Sequence, residues 1–183
     1  MPGPAKIMFI RHGEKPEKPP PYGVKEDGSQ SNHSLIPQGW QRAGALIAFF
    51  AKPVHNDIAT PTRIYAAAPG AQADDPSKDD VDKSHRPVQT VTPLSRRLEL
   101  PIEKQFSVGE ETGLVADIQR QSGIVLICWE HKHIPLIARP FTAGAPSTWP
   151  DRYDIVWILD AQPDGSYDFT QAPQLLLSAD QPV

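Results

Sequence analysis

Residues Lys6-Ile7-Met8-Phe9-Ile10 run directly into Arg11-His12-Gly13-Glu14, and the fold is read outward from this junction. Five residues, four of them apolar, form a short strand-length run that stops at once in cation, imidazole and glycine. That pattern fits a buried strand ending in functional polar groups. A second junction has the same shape. Ile124-Val125-Leu126-Ile127-Cys128-Trp129 is apolar on both faces and β-branched, as expected for a central strand of a parallel sheet, and it runs into Glu130-His131-Lys132-His133.

The segments around these strands supply helices. From Pro37, Trp40, Ala43, Gly44, Ile47 and Phe50 recur at helical spacing, with Gln38, Gln41 and Arg42 placed off that face, and Pro53 closes the segment. A second helix is predicted from Arg86, with Pro87 in its first turn and Val88, Val91, Leu94 and Leu98 on its apolar face; Pro93 predicts a kink or an early end. Ser107-Val108-Gly109-Glu110 fits a capping box ahead of Leu114, Val115 and Ile118, with Gly123 as the stop. A short helix carries Ile134, Ile137 and Ala138. Arg63–Ala67, Ile155–Leu159 and Tyr167–Leu177 are further strand candidates. Alternating strands and helices predict an α/β protein, a three-layer α/β/α sandwich with a mostly parallel central sheet.

Three loops remain. Residues 16–34 are long and polar, 69–84 are acidic (Asp74, Asp75, Asp79, Asp80, Asp82), and 140–153 precede the strand candidate Ile155–Leu159. Long loops in compact domains tend to bind or cover ligands, so specificity is expected there. Trp149, Tyr153 and Trp157 fit either stacking on a ligand or packing in the core.

Composition narrows the function. With 183 residues, residues 1–183 are expected to form a single domain, and 39% hydrophobic content suffices for one core. A net charge of −4 and the lack of a basic run argue against nucleic acid or an anionic membrane as partner. No apolar run approaches a membrane span or a signal-peptide core, so the expected compartment is the cytoplasm. Cys128 is expected to be a small buried hydrophobe. His131 and His133 lack a third ligand at convincing spacing, and Lys132 repels a cation, so no metal is expected.

In open parallel sheets, ligands bind outside the carboxyl ends of the strands. His12, Arg11 and His131 sit at two such ends, and Arg86 opens a helix, where an anion is favoured. Two guanidinium forks and two imidazoles suit a phosphoryl group.

The ordered set of segments resembles the histidine phosphatase superfamily, whose fold is phosphoglycerate-mutase-like. Arg11-His12-Gly13-Glu14 resembles its signature. Leu35-Ile36-Pro37-Gln38-Gly39-Trp40-Gln41-Arg42-Ala43 resembles its helix-opening segment, with Ile36 where Thr is common. Arg63–Ala67, Ser84-His85-Arg86-Pro87-Val88-Gln89-Thr90 and Val125–His131 follow in order, so the likeness spans residues 6 to about 140.

The resemblance implies a hydrolase acting on a phosphomonoester: His12 forms a phosphohistidine, and Arg11, Arg86 and His131 bind the phosphoryl oxygens. Glu111 is the favoured general acid, ahead of Glu110, Glu103 and Glu130. Glu14 either orients the site and meets substrate or forms an ordinary salt bridge. No cofactor is implied, because arginines supply the positive charge. The partner is a phosphorylated small molecule or phosphoprotein, with inorganic phosphate or a similar anion in the pocket. The alternatives are a phosphohistidine-protein phosphatase and a catalytically silent phospholigand-binding or regulatory protein. Mutase activity is disfavoured by chain length.

Overall fold

The computed structural model describes residues 3–70 and 84–183. The acidic residues expected in the 69–84 loop lie outside the described residues. Among these residues six strands form one sheet: β1 (Lys6–Arg11), β2 (Arg63–Ala66), β3 (Ile102–Glu103), β4 (Ile124–Trp129), β5 (Ile155–Ala161) and β6 (Tyr167–Pro173). Their order is β3-β2-β4-β1-β5-β6. The four strands from β3 to β1 pair in parallel, whereas β5 pairs antiparallel with both β1 and β6. The sheet is therefore mixed, with its parallel part where the functional groups were expected. The buried run of β5 hides its direction, because apolar residues on both faces look alike in either orientation.

Among the described residues four helices cover the two faces: α1 (Pro37–Ala51), α2 (Arg86–Leu98), α3 (Glu111–Ile118) and α4 (Ile134–Ala138). Leu46 and Phe50 of α1 and Val91 and Leu94 of α2 pack on Met8, Ile10, Ile64, Leu126 and Cys128. Leu114 and Ile118 of α3 and Ile134 and Ile137 of α4 pack on Ile7, Phe9, Val125, Ile127 and Trp157. Strand residues alternate between these two cores, as the two-residue period of a strand requires. The result is the expected three-layer α/β/α arrangement.

Several local expectations are revised. The buried face of α1 is Gly39, Arg42, Ala43, Leu46 and Phe50, so the helix is rolled toward Arg42 relative to the predicted face. α2 continues through Pro93 to Leu98 and ends at Glu99 in the left-handed region (φ 56°). Half of the capping box forms: the Glu110 carboxylate accepts the Ser107 N–H at 2.7 Å, and α3 starts at Glu111. α3 ends at Ile118, before Gly123, whose φ of 78° leads into β4. Strand β3, two residues long, carries no readable pattern. Cys128 is buried, and burial pushes its thiol pKa up. Among the described residues no helix is long and apolar enough to cross a membrane.

Candidate active site

In-register parallel pairing sets Arg11 opposite Trp129, so the residues after β1 and β4 emerge together. The His12 N–H donates to the Trp129 carbonyl at 3.2 Å, which extends the ladder by one bond. A cleft opens at this edge. Its walls are His12, Ala67 and Ala68 beyond β2, Glu130 beyond β4, Ser84 before α2, Arg86 and Pro87 at the start of α2, and Lys15 and Val108 from loops. Its volume is ≈ 40 Å³. This exceeds the ~10–15 Å³ needed to admit one water, so a small polar group can enter.

His12 is 4% exposed. Its Nδ1 lies 2.7 Å from the Gly13 carbonyl oxygen. A carbonyl only accepts, so Nδ1 carries the proton and Nε2 keeps its lone pair. Burial lowers the pKa of His12 to about 3, with the charges of Arg86, Arg11 and Lys15 adding to the effect against the raising influence of the Gly13 carbonyl. The ring is therefore neutral at physiological pH, in the tautomer with a free Nε2.

The loop that holds His12 is fixed by close backbone contact. A Cβ on Gly13 would lie 3.0 Å from the Gly39 carbonyl oxygen, and one on Gly39 would lie 2.6 Å from the Glu14 carbonyl oxygen. Only glycine at both positions lets α1 seat this closely. Thr90 joins the loop to α2: its hydroxyl accepts the Gly13 N–H at 2.8 Å and donates to the Arg86 carbonyl at 2.7 Å. Thr90 was not singled out in the sequence, although its position four residues after Arg86 places both on one helical face.

The cations differ in how they are held. Arg11 is buried; its guanidinium donates to Asp151 Oδ1 at 2.9 Å and to the Tyr153 hydroxyl at 3.3 Å, and stacks 3.9 Å over the Tyr153 ring. Its Nε has no partner among the described residues. Arg86 donates to the Asn32 carbonyl at 2.5 Å, which ties the 16–34 loop to the cleft. Further bonds hold that loop: Leu35 N–H to Gln89, Gln89 to Ser34, and Trp40 Nε1 to the Val24 carbonyl. His131 Nδ1 lies 2.7 Å from Glu130 Oε1 without hydrogen-bond alignment. Burial and the neighbouring Arg11 hold its pKa below the usual histidine range, against Glu130 and Asp151.

The carboxylates fall at several separate places. Glu111 is absent from the cleft wall. Its Oε1 accepts from Trp129 Nε1 at 3.1 Å and Gly109 N–H at 2.9 Å, and lies 2.9 Å from His133 Nδ1. Glu103 pairs with Arg63 at 2.7 Å on the far edge of the sheet. Glu110 is occupied at the start of α3. Glu130 alone of the four candidates lines the cleft, with Oε2 accepting the Lys132 N–H at 2.8 Å. Glu14 points away from the cleft, and both its oxygens accept from Arg42. His131 and His133 face different carboxylates, and among the described residues no three His, Cys, Asp or Glu side chains converge as metal ligands. Of the three aromatics, Trp149 stacks on Trp157 in the core at 4.7 Å between centroids, and only Tyr153 reaches the site, 6.1 Å from the His12 ring.

This architecture is a phosphoglycerate-mutase-like fold. The structure of the protein histidine phosphatase SixA complexed with tungstate superposes with a TM-score of 0.55 at 16% identity, over 92% of this chain and 97% of that one. The crystal structure of phosphoglycerate mutase from Bacillus anthracis str. Sterne superposes with a TM-score of 0.56 at 12% identity, over 92% and 93% of the two chains. At sequence level no family model matches, and no curated protein matches.

Proposed function

We propose that the chain is a metal-independent phosphatase that hydrolyses a phosphomonoester through a phosphohistidine on His12. The observation that carries this reading is the buried, neutral His12, locked by Gly13 with Nε2 unprotonated in a small cleft beside Arg86 and Glu130. In the first step the Nε2 lone pair attacks phosphorus and the ester P–O bond breaks. The leaving oxygen takes a proton from Glu130, which replaces Glu111 as the proposed acid because it lines the cleft. The resulting imidazolium keeps its Nδ1–H bond to the Gly13 carbonyl. Arg11, Arg86 and His131 meet the charge on the phosphoryl oxygens. In the second step water attacks phosphorus, gives its proton to Glu130 and breaks the P–N bond, which releases phosphate and restores neutral His12.

A phosphohistidine-protein substrate is the second reading. It is supported by the likeness to SixA, a protein histidine phosphatase of matching extent. Both readings are tested by hydrolysis of 4-nitrophenyl phosphate and of a phosphohistidine peptide, with chelator present. The proposal predicts chelator-resistant turnover that drops by on the order of 10³-fold or more in His12→Ala. Turnover that survives the loss of His12 contradicts it, and no turnover of either probe by folded protein favours a silent phospholigand-binding protein.

A further inference from the structure

A second concave region shares no residue with the cleft at His12. It is a cavity of ≈ 580 Å³ bordered by the C-terminal half of α1, the last turn of α2 and the segment that follows β6. That volume lies within the ~300–1,000 Å³ typical of small-molecule sites. Phe49, Ala51 and Leu176 in its wall are partly buried and pack on the core behind them. Val54, 99% exposed, and Leu175, 58% exposed, carry the apolar wall out to solvent. Large exposed apolar side chains need no explanation when scattered singly, but two around one cavity mark a binding surface. Leu175 is also held outward against its own preference. Its φ of 51° is in the left-handed region, which bulky residues avoid. Bonds on either side pin it there: Gln174 N–H donates to the Asp154 carbonyl at 2.7 Å, and Leu176 N–H to Asp180 Oδ2 at 2.8 Å.

The ionisable groups of this cavity are all bases. Lys52, His55 and Arg97 line it, and none of the described lining residues is acidic. The chain as a whole has the opposite balance, with 22 Asp and Glu against 18 Lys and Arg. His55 has a carboxylate nearby, Asp57 at 3.6 Å. Lys52 and Arg97 enter no ion pair with the described residues. The amide of Gln174 is already committed, to Arg42 Nη1 and the Ile155 carbonyl. Lys52 caps α1 and Arg97 lies in the last turn of α2, where a helix end favours a cation. The dipoles account for two cations on the surface. They do not account for an apolar cavity beside those cations, with no acid in its wall and an exposed leucine fixed at its rim.

We propose that this cavity binds a small amphiphilic acid, with its apolar body against Phe49, Ala51, Leu175 and Leu176 and its anionic head met by Lys52 and Arg97. The apolar wall selects the body and the unpaired cations select the head. The site stands whether or not His12 turns over a substrate, because the two share no wall. Octanoate, hexanoate and octanamide are titrated calorimetrically into the full chain, with inorganic phosphate present to occupy the His12 cleft. Octanoate is expected to bind about tenfold tighter than octanamide, which has the same chain and no charge. It is expected to bind about tenfold tighter than hexanoate, which buries two fewer methylenes. Lys52 and Arg97 are exposed, so Lys52→Gln/Arg97→Gln is expected to fold and to bind octanoate and octanamide within about twofold of one another. Leu175→Ser is expected to weaken both probes. Amide shifts on adding octanoate are expected at Ala48, Ala51 and Leu175. Equal affinity for octanoate and octanamide overturns the proposal, as does a preference that survives in Lys52→Gln/Arg97→Gln, full affinity for both probes in Leu175→Ser, or shifts gathered at Gly13 and Thr90. Concentration-dependent dimerisation that protects these residues assigns the face to a second copy and overturns it. Binding to phosphatidylglycerol vesicles with no response to free octanoate assigns the face to a membrane and overturns it too.

Discussion

Two buried arginines stand on either side of the Gly13-Glu14 segment, and they have opposite surroundings. Arg42 is saturated. It donates to both oxygens of Glu14, both of Asp180 and the amide oxygen of Gln174. Burial works to lower its pKa, and the bonds to Asp180 and Glu14 outweigh that and raise it. Arg11 has one carboxylate, Asp151, which is 86% exposed, one phenol, and an Nε with no partner among the described residues. Burying a charge is costly unless it is paired, so a saturated arginine is explained by the fold alone. An arginine left short of acceptors beside a neutral histidine fits the anion site proposed above. The contrast also accounts for Glu14, which the sequence placed next to the nucleophile and the structure assigns to the saturated side.

The sharpest way to break this contrast is to truncate one cation on each side. Arg42→Met leaves Glu14 and Asp180 buried without their cation, and urea unfolding is expected to show a loss of about 3–5 kcal/mol. Arg11→Met, which frees only the exposed Asp151 and the Tyr153 hydroxyl, is expected to cost far less in unfolding while steady-state kinetics show kcat down by about 10²–10³-fold. If Arg11→Met unfolds as readily as Arg42→Met, the division between the two arginines fails.

Carboxylates sharpen the same division. Glu130→Gln is expected to lower kcat by about 10²-fold, with the deficit smallest for aryl phosphates whose leaving group needs no proton. Glu111→Gln disturbs the cluster of Trp129, Gly109 and His133, and thermal unfolding is expected to register about 1–3 kcal/mol with little change in kcat. The reverse pattern would return the acid to Glu111.

The same contrast can be sharpened by pH. His12 has a folded pKa near 3 against 6.5 for the ordinary group. Between those values the unfolded chain binds a proton that the folded chain does not, so stability falls as pH drops from about 6.5 toward 3. Above that window His12 contributes no pH dependence. Thermal unfolding from pH 7 to pH 4 is therefore expected to fall less steeply in His12→Ala than in wild type. Equal slopes would mean that His12 titrates normally.

The sequence made the sheet edge legible because its signals are local. Each of β1 and β4 is a single apolar run ending in charge, and their endings named His12, Arg11, Glu130 and His131. Arg86 was legible as a helix opener with Pro87 behind it. What stayed hidden depends on distant partners. An arginine on a helix reads as solvent-facing, and the acceptors that bury Arg42 lie 28, 132 and 138 residues away. The same holds for Glu111: a first-turn carboxylate fits both a catalytic acid and a structural anchor, and Trp129 and His133 decide between them. Tyr153 and Asp151 reach Arg11 from a loop 140 or more residues along the chain, where spacing carries no information.

The central claim is the covalent intermediate. Wild type is mixed with 4-nitrophenyl phosphate, quenched in alkali within the first turnovers, and digested for mass spectrometry, since phosphohistidine survives base and not acid. The account predicts a phosphoryl adduct on the peptide that contains His12, absent when His12→Ala is treated the same way. Turnover with no adduct, or an adduct on another residue, contradicts it.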